Sequence, residues 1–268
     1  MPSDHLPADG QACAHPDWLQ PEGLPPGIGA VMSTRAGGVS QGPWAGLNLR
    51  PPELPGTGLD VAADVRRNQA RFVSALQGAR PVWLDQVHGR EVVVVRRTED
   101  VDAAQGQRAD ACVTDQPGVA CLALVADCLP VLLWTADGRV VGAAHAGWRG
   151  LAGGVLEATV EALRQLAGHP GAEVQGWLGA CIGPQAFEVG EDVREAFAAA
   201  PAACFAPGRQ PGKWWADLPA LARWRLAGVG VVGLGGGQWC TLSHPSRFFS
   251  FRRDRVTGRQ AAAIWRRA

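Results

Sequence analysis

The amino-acid sequence has no excess of charge of either sign, and this balance limits the partners that suit it. Lysine and arginine number 25, aspartate and glutamate number 25, and the formal net charge at pH 7 is zero. Proteins that bind nucleic acid or anionic membranes through charge carry a basic excess or a basic patch. We therefore predict neither nucleic acid nor a membrane as a partner. Tyrosine is absent and Lys213 is the single lysine, which we attribute to genome composition rather than function.

Long hydrophobic runs are missing as well. The most apolar stretch, residues 119–134, is interrupted by Asp127 and Pro130, so it does not suit a transmembrane helix. The first residues contain no basic segment followed by an apolar one, so we expect no secretory signal. The seven cysteines are an odd number without a framework spacing, which argues against a disulfide-stapled secreted fold. We expect a cytoplasmic protein.

Several signature motifs of enzymes are also absent. There is no Gly-x-Ser-x-Gly, which excludes the usual serine-hydrolase elbow, and no Cys-x-x-Cys or His-Glu-x-x-His metal signature. The glycine-rich run 233–238 superficially suggests a dinucleotide loop. It has Gln238 at the last glycine position and no helical pattern directly after it, so a tight turn is the better interpretation.

The length and pattern predict one α/β domain of the α+β type, with mixed sheets packed against helices. Residues 1–26, rich in proline, aspartate and glycine, are expected to form a flexible arm, and residues 27–268 a single catalytic domain. The strands are predicted at 29–34, 81–87, 91–96, 109–115, 119–126, 130–135, 140–144, 174–180, 229–234, 247–251 and 260–265. The helices are predicted at 61–77, 150–167, 192–200 and 218–227.

A predicted hairpin brings two reactive side chains together. Apolar strands flank an Asp137-Gly138 turn, with Cys128 just before the first strand and His145 at the end of the second. The hairpin therefore places the thiol of Cys128 beside the imidazole of His145. Such a pair can act as nucleophile and base or as two ligands of a soft metal.

His88 also lies at a predicted strand end and completes a candidate metal site. Two histidines and one cysteine form a ligand set seen in catalytic zinc sites, where a fourth position stays open. Each residue also has an ordinary interpretation, since a cysteine or a strand-end histidine can simply pack in the core. Asp127 is either a hydrogen-bond partner of one of the histidines or a turn residue.

Two arginines are candidate anion ligands. The glycine-rich segment 147–150 marks the start of a helix, where free backbone N–H groups and the helix dipole favour an anion. Arg149 would add a forked donor for phosphate or carboxylate, and Arg35 beside Gly37 and Gly38 would add a second one. By motif alone, a surface ion pair is the favoured interpretation of either arginine.

Seven ordered motifs resemble the laccase-domain family, also called the YfiH or polyphenol oxidase-like family, over about residues 28–268. They are Ser33-Thr-Arg35-Ala-Gly-Gly-Val-Ser40 with Gly46-Leu-Asn48-Leu, Gln86-Val-His88-Gly, Ala109-Asp110-Ala, Ala126-Asp127-Cys128-Leu-Pro130, His145-Ala-Gly-Trp-Arg149-Gly150, Gly179-Ala-Cys-Ile-Gly-Pro184, and Phe248-Phe-Ser-Phe251-Arg-Arg-Asp254 with Thr257-Gly-Arg259. Phe251 stands where the family often has tyrosine, which puts any role of a tyrosine hydroxyl there in doubt.

The resemblance implies a fold and an activity. The implied fold has αββα layers with mixed sheets and is related to bacterial toxin cysteine deamidases. The implied activity is zinc-dependent phosphorolysis of adenosine, inosine, guanosine or methylthioadenosine, with deamination of adenosine; the partners would be these nucleosides and phosphate, and we expect a monomer. Some bacterial members are called peptidoglycan editing factors.

The resemblance also implies site residues. The metal ligands would be His88, Cys128 and His145, with zinc as the usual ion and copper (Cu²⁺) as the alternative that the family name records. Catalytic roles would fall to Cys128, His145, Asp127 and Arg35, and substrate or phosphate binding to Arg35, Arg149, Ser33 and Asn48.

Three other functions stay open at this point. A copper-dependent polyphenol oxidase of the multicopper type needs His-x-His ligand pairs, and the sequence has none. A metal-free cysteine hydrolase acting in peptidoglycan precursor editing would use Cys128 as nucleophile and His145 as base. A structural zinc module would need a fourth ligand that the sequence does not obviously supply.

Overall fold

The structure, a computed structural model, describes residues 14–56, 59–231 and 233–268. The strands in this part of the chain are β1 (Ile28–Met32), β2 (Arg80–Val82), β3 (Val92–Val95), β4 (Ala111–Thr114), β5 (Val119–Val125), β6 (Leu129–Thr135), β7 (Val141–Ala146), β8 (Val174–Leu178), β9 (Glu188–Val189), β10 (Phe205–Pro207), β11 (Trp214–Ala216), β12 (Gly233–Gly236) and β13 (Gln260–Arg266). The α-helices are α1 (Ala62–Ser74), α2 (Val101–Ala104), α3 (Trp148–Gly153), α4 (Val155–Leu166), α5 (Glu191–Ala196), α6 (Leu218–Gly228) and α7 (Phe251–Asp254).

A six-stranded mixed sheet has the order β12-β8-β6-β7-β4-β3. Its centre is the predicted hairpin of β6 and β7, which pair antiparallel across the Asp137-Gly138 turn. Gly138 has φ +71, the left-handed conformation that such a turn requires. The hairpin prediction is confirmed. Both strands are buried along their whole length, which explains their nearly continuous apolar sequence.

A four-stranded sheet, β1-β13-β5-β2, and a small antiparallel sheet, β10-β11-β9, complete the β structure. The two larger sheets face each other across an apolar core that includes Met32, Leu132 and Ile264. A second core lies between the six-stranded sheet and helices α4 and α6, and a third lies between the four-stranded sheet and α1 around Phe72. The predicted mixed α/β class with several mixed sheets is confirmed.

Three predicted elements differ from the structure. The run 233–238, expected to be a tight turn, contains β12, which pairs parallel with β8. The helix predicted at 150–167 is two helices, α3 and α4, because Gly154 adopts φ +92 and ends the first one. The strand predicted at 247–251 is absent from the described residues, and α7 begins after Ser250, whose side chain accepts a hydrogen bond from the Arg253 N–H. The small sheet β10-β11-β9 was not predicted, since its strands are only two or three residues long.

The predicted N-terminal arm lies partly outside the described residues, which begin at Ala14. Its described part packs on the domain. Trp18 is 8% exposed, with its ring 5.5 Å from that of Phe72, and Leu19 forms a bridge with Met32. The packed domain therefore includes residues that the sequence analysis placed in the arm. Among the described helices, none has the length and apolar character needed to cross a bilayer.

Candidate metal and substrate site

One edge of the six-stranded sheet gathers the reactive side chains. Pro130 at the start of β6 lies opposite His145 near the end of β7, so Cys128 adjoins His145 as predicted. β4 is the next strand, and Asp110 directly precedes it. His88 comes from the segment between β2 and β3. Antiparallel pairing is what brings strand starts and strand ends to the same edge.

The three predicted metal ligands form one cluster. A ligand atom from each of His88, Cys128 and His145 lies within 4.8 Å of the other two, the one such group found among the described residues. The Sγ of Cys128 is 3.6 Å from Nε2 of His88, and the two imidazole rings meet edge to face with centroids 4.8 Å apart. A thiolate and two imidazoles suit zinc and leave a fourth coordination position for water or substrate. The same ligand atoms can also bind copper.

Asp110 holds this cluster together, although the sequence analysis gave it no role. It is buried, and its Oδ1 lies 2.8 Å from Nδ1 of His145. Its carboxylate also accepts hydrogen bonds from the backbone N–H groups of His88 (2.9 Å) and Gly89 (2.6 Å). Because Asp110 accepts a hydrogen bond from the Nδ1–H of His145, Nε2 of that ring stays free to bind a metal. The sequence does contain a signal for Asp110, because an acidic residue directly before a buried strand needs hydrogen-bond partners.

The charges of the cluster shift its titrations. Burial by itself would raise the pKa of the Cys128 thiol, but the charge and hydrogen bond of His145, followed by those of His88, lower this pKa to about 6. Burial would lower the pKa of His145, whereas Cys128 and Asp110 raise it to about 9. Burial would also raise the pKa of Asp110, and the hydrogen bond with His145 lowers it. Without a bound metal, these two pKa values favour a thiolate on Cys128 and an imidazolium on His145 at neutral pH.

Gly147 leaves the space in which the cluster sits. A Cβ atom on Gly147 would lie 2.5 Å from Cδ2 of His88 and 3.1 Å from Sγ of Cys128. The glycine is also the residue before α3, so the helix begins directly beside the cluster. Any side chain at this position would push the ligands apart. The close approach supports a site built to hold a small central group.

Asp127 has other partners than the histidines. Its carboxylate accepts hydrogen bonds from the hydroxyls of Thr241 (2.5 Å) and Ser250 (3.0 Å) and from the backbone N–H of Arg252 (2.6 Å). Its φ of +91 places it in the left-handed region, in the turn before β6. These contacts support the turn interpretation, and Asp110 takes the place beside the histidine. A catalytic role of Asp127 stays a prediction.

A cavity of about 320 Å³ opens over the cluster. It lies between the edges of the two large sheets and the start of α7, and it combines the metal cluster with apolar and basic side chains. Its lining residues are Arg50, Leu54, Pro55, Leu84, Asp85, Gln86, His88, Leu124, Ala126, Cys128, His145, Phe251 and Arg259.

The two arginines predicted to bind phosphate are not among the described residues that line this cavity. Arg35 donates through Nε (3.2 Å) and Nη2 (3.0 Å) to the carbonyl of Ala45, and through Nη1 to that of Pro245 (2.9 Å). The guanidinium of Arg149 lies 4.3 Å over the ring of Trp148. Their direct binding of phosphate stays a prediction.

Ser33 and Asn48 are both buried and hold backbone segments in place. The hydroxyl of Ser33 accepts a hydrogen bond from the Ala261 N–H at 3.1 Å. The side-chain oxygen of Asn48 accepts from the backbone N–H groups of Arg50 (3.2 Å) and Arg259 (2.9 Å). These last two arginines line the cavity, and the sequence analysis missed both as candidate ligands.

A mixed α/β fold with an open two-histidine, one-cysteine cluster at a sheet edge defines a class of protein equipped for metal-assisted or cysteine-based chemistry. The chain belongs to the family of enzymes described as multi-copper polyphenol oxidoreductase laccase, whose family model matches residues 29–267. The resemblance drawn from the seven motifs is therefore confirmed.

Curated relatives extend over nearly the whole chain. The purine nucleoside phosphorylase PA4543 of Pseudomonas aeruginosa is 47% identical over 255 residues, covering 92% of this chain and 98% of the relative. The purine nucleoside phosphorylase YfiH of Escherichia coli is 46% identical over 253 residues, covering 93% and 97%.

Solved structures show the same fold. The Neisseria meningitidis protein NMB0706 has a TM-score of 0.83 at 40% identity and covers 94% of this chain and 100% of its own. YlmD from Geobacillus stearothermophilus has a TM-score of 0.82 at 31% identity, with 98% of each chain covered.

Proposed function

We propose that the protein is a zinc-dependent purine nucleoside phosphorylase that also deaminates adenosine. The observation that carries the proposal is the open His88–Cys128–His145 cluster in a cavity that also presents arginines and apolar side chains. The names of relatives that are 46–47% identical over more than nine-tenths of the chain support the phosphorylase assignment.

Zinc, when bound, would supply Lewis-acid polarisation and an acidified water, the chemistry that removes the amino group from C6 of adenine. The residues of this chain prepare the site for it. Asp110 fixes the ring of His145 so that Nε2 faces the cavity. The apolar side chains of Leu84, Leu124 and Phe251 offer a dry surface for a purine, with Phe251 able to stack on the base.

Phosphorolysis requires a second set of contacts. An oxygen of hydrogen phosphate attacks C1′ of the ribose while the bond from C1′ to the purine nitrogen breaks. The nitrogen keeps the bonding electron pair and takes the proton that hydrogen phosphate brought, so the products are free base and ribose 1-phosphate. Fixed N–H donors around the phosphate would hold its attacking oxygen in position over C1′. The basic side chains of the cavity are suited to this task.

The test is product analysis by liquid chromatography after incubating the metal-loaded protein with adenosine or inosine, with and without phosphate. Free base and ribose 1-phosphate that appear only with phosphate would support the phosphorylase. Inosine formed from adenosine in the absence of phosphate would support the deaminase. No turnover of either nucleoside by protein shown to contain metal would refute the proposal.

A cysteine-type hydrolase, the activity expected of a peptidoglycan precursor editing enzyme, is the second candidate. One specific observation favours it: Cys128, His145 and Asp110 stand as nucleophile, base and orienting carboxylate, and the pKa of Cys128 is lowered to about 6. A metal held by the thiolate would take the nucleophile out of use. Activity that survives full metal removal, and that alkylation of Cys128 then abolishes, would favour this candidate.

The copper-dependent phenol oxidation named in the family description has less support. A multicopper site needs ligands for several copper ions, and the described residues offer one three-residue group. Oxygen uptake with a phenolic substrate, measured on protein loaded with copper, tests this activity directly.

A further inference from the structure

Two arginines that the metal site does not use project from separate segments into the same cavity. Arg50 follows the Gly-Leu-Asn-Leu motif after β1, and Arg259 directly precedes β13. Both are half-buried. Asn48 ties them together, because its side-chain oxygen accepts a hydrogen bond from the backbone N–H of each. A further backbone bond from the Leu49 N–H to the Arg259 carbonyl, at 3.0 Å, joins the two segments.

The side chains of the two arginines are incompletely used within the described part of the chain. Nη1 of Arg50 is buried and has no hydrogen-bond partner there, while its Nη2 donates to the carbonyl of Pro55. Arg259 donates through Nη1 to the carbonyls of Thr257 (3.1 Å) and Gly258 (3.0 Å), which leaves Nε and Nη2 without a recorded partner among the described residues. Since a buried donor without an acceptor is costly, Nη1 of Arg50 favours a ligand that brings an acceptor, and Nε and Nη2 of Arg259 can donate to the same ligand.

The local charge points to the sign of that ligand. Neither arginine forms a salt bridge with a described carboxylate, whereas Asp85, the one acidic residue lining the cavity, faces Arg108 at 3.9 Å. Burial and then repulsion from the positive charge of Arg50 lower the pKa of Arg259, and the negative charges of Cys128 and Asp127 act in the opposite direction. Burial lowers the pKa of Arg50, and the charge of Asp85 raises it. An anion between them would remove this repulsion and provide the missing acceptors.

We infer that Arg50 and Arg259 form the oxyanion subsite of the cavity and bind the phosphate that attacks the nucleoside. The inference rests on the proposed phosphorylase function and replaces Arg35 and Arg149 in that role. Arg35 donates to backbone carbonyls and the guanidinium of Arg149 lies over the ring of Trp148, and neither is among the described residues that line the cavity. Arg50 and Arg259 line the same cavity as the metal cluster. Phosphate held there would lie in one cavity with the purine that it attacks.

The test compares Arg50→Gln and Arg259→Gln in the metal-loaded protein, with inosine saturating and phosphate varied. Each change is expected to raise the KM for phosphate about tenfold or more, since a charge-assisted hydrogen bond to an anion is lost. The KM for inosine should change less than the KM for phosphate. Adenosine deamination in phosphate-free buffer should persist, because that reaction consumes no phosphate.

Arg97→Gln is the matched control, since Arg97 is exposed, pairs with Asp100 and lies on a different surface from the cavity lining. It removes the same charge and should leave both KM values unchanged. Metal content and circular dichroism establish that each variant is folded. Arg259→Lys keeps the positive charge but loses the forked guanidinium donors. Its KM for phosphate should therefore lie between those of the wild type and Arg259→Gln.

Two kinetic outcomes would overturn the inference. One is an unchanged KM for phosphate in folded Arg50→Gln and Arg259→Gln. The other is a larger rise of the KM for phosphate in Arg149→Ala than in either of these variants. That result would place the phosphate-binding residues at the start of α3.

Calorimetric titration with inorganic phosphate alone separates this inference from the proposed function. Binding to the wild type that is lost in the double variant supports the subsite even if no nucleoside is turned over. Equal binding by the wild type and the double variant, or no binding by the wild type, refutes the subsite even if phosphorolysis occurs.

Discussion

At the scale of single residues, the site depends most on a buried carboxylate that is not among the described residues lining the cavity. The carboxylate of Asp110 forms a hydrogen bond with Nδ1 of His145. It also accepts hydrogen bonds from backbone N–H groups of the segment that carries His88. One buried side chain therefore orients the ring of His145 and holds in place the backbone segment that carries His88. Carboxylate partners of metal-binding histidines raise the basicity of the ligand and fix its ring.

Asp110→Asn is expected to weaken zinc binding by about 10- to 100-fold. The amide can accept through Oδ1, but its NH₂ group would face the N–H groups of Val87 and Gly89, which now bond to Oδ2. Competition titration with a chromophoric chelator measures the affinity. Asp137→Asn, at the hairpin turn, is the control and should bind zinc as the wild type does. Wild-type affinity in Asp110→Asn would contradict the role assigned to this carboxylate.

Cys128→Ala is expected to remove most activity and to lower the metal content well below one ion per chain, without unfolding the protein. The side chain is half-buried in a turn, so the packed strands remain. Metal analysis of the purified variant and its thermal unfolding curve are the two measurements. Cys240→Ala, a half-buried cysteine outside the cluster, should retain the metal. Full activity of Cys128→Ala would mean that the site assignment is wrong.

At the scale of secondary-structure elements, the site is built where strand ends meet a helix start. β6 and β7 bring Cys128 and His145 together, and α3 begins at the glycine beside them. Close packing of this helix start is possible only because two glycines face the segment of His88. A Cβ on Gly150 would lie 2.8 Å from the Gly89 carbonyl. The absence of side chains at Gly147 and Gly150 thus lets the start of α3 lie directly against the segment of His88.

Gly147→Ala is expected to lower zinc affinity and activity together, because the added methyl would overlap His88 and Cys128. Its effect on helix propensity alone should be small. Gly153→Ala is the control, since Gly153 is the last residue of α3, the helix that Gly147 precedes, and has open space around its Cβ position. Chelator competition and steady-state kinetics on both variants decide the matter. Equal behaviour of the two variants would show that the cluster tolerates a side chain at residue 147.

At the scale of the whole molecule, three cores hold two sheets and their covering helices together, and the N-terminal segment closes one of them. Trp18 packs in the core of α1 and the four-stranded sheet. The metal cluster lies instead at the edge of the six-stranded sheet. Stability and metal binding should therefore respond separately to changes at the two places.

Trp18→Ala is expected to lower the free energy of unfolding by about 3 kcal/mol, the usual cost of truncating a buried tryptophan. Urea denaturation followed by circular dichroism measures this change, and the zinc content should stay that of the wild type. Val61→Ala, at a position that is 61% exposed, should change the free energy of unfolding by less than about 0.5 kcal/mol. A Trp18→Ala variant as stable as Val61→Ala would mean that the segment contributes little.

The sequence by itself determined the elements with a strong local signal. The apolar strands around Asp137-Gly138 and the helices with glycine stops were predictable because periodicity and turn residues act over a few positions. Cys128 and His145 could be placed side by side for the same reason, since a two-strand hairpin fixes its own register. Helix α7, the small sheet and the break at Gly154 were missed, because tertiary contacts override weak local preferences there.

Only the tertiary structure decided which residues share the cavity. Arg50 and Arg259 are distant in sequence, and the hydrogen bonds of Asn48 bring them to one cavity, while the sheet order places Asp110 behind the metal cluster. Conversely, Arg35 and Asp127, prominent in their motifs, are bound to backbone and hydroxyl groups elsewhere. Long-range pairing depends on the packing of the whole core, and no local pattern in the sequence specifies it.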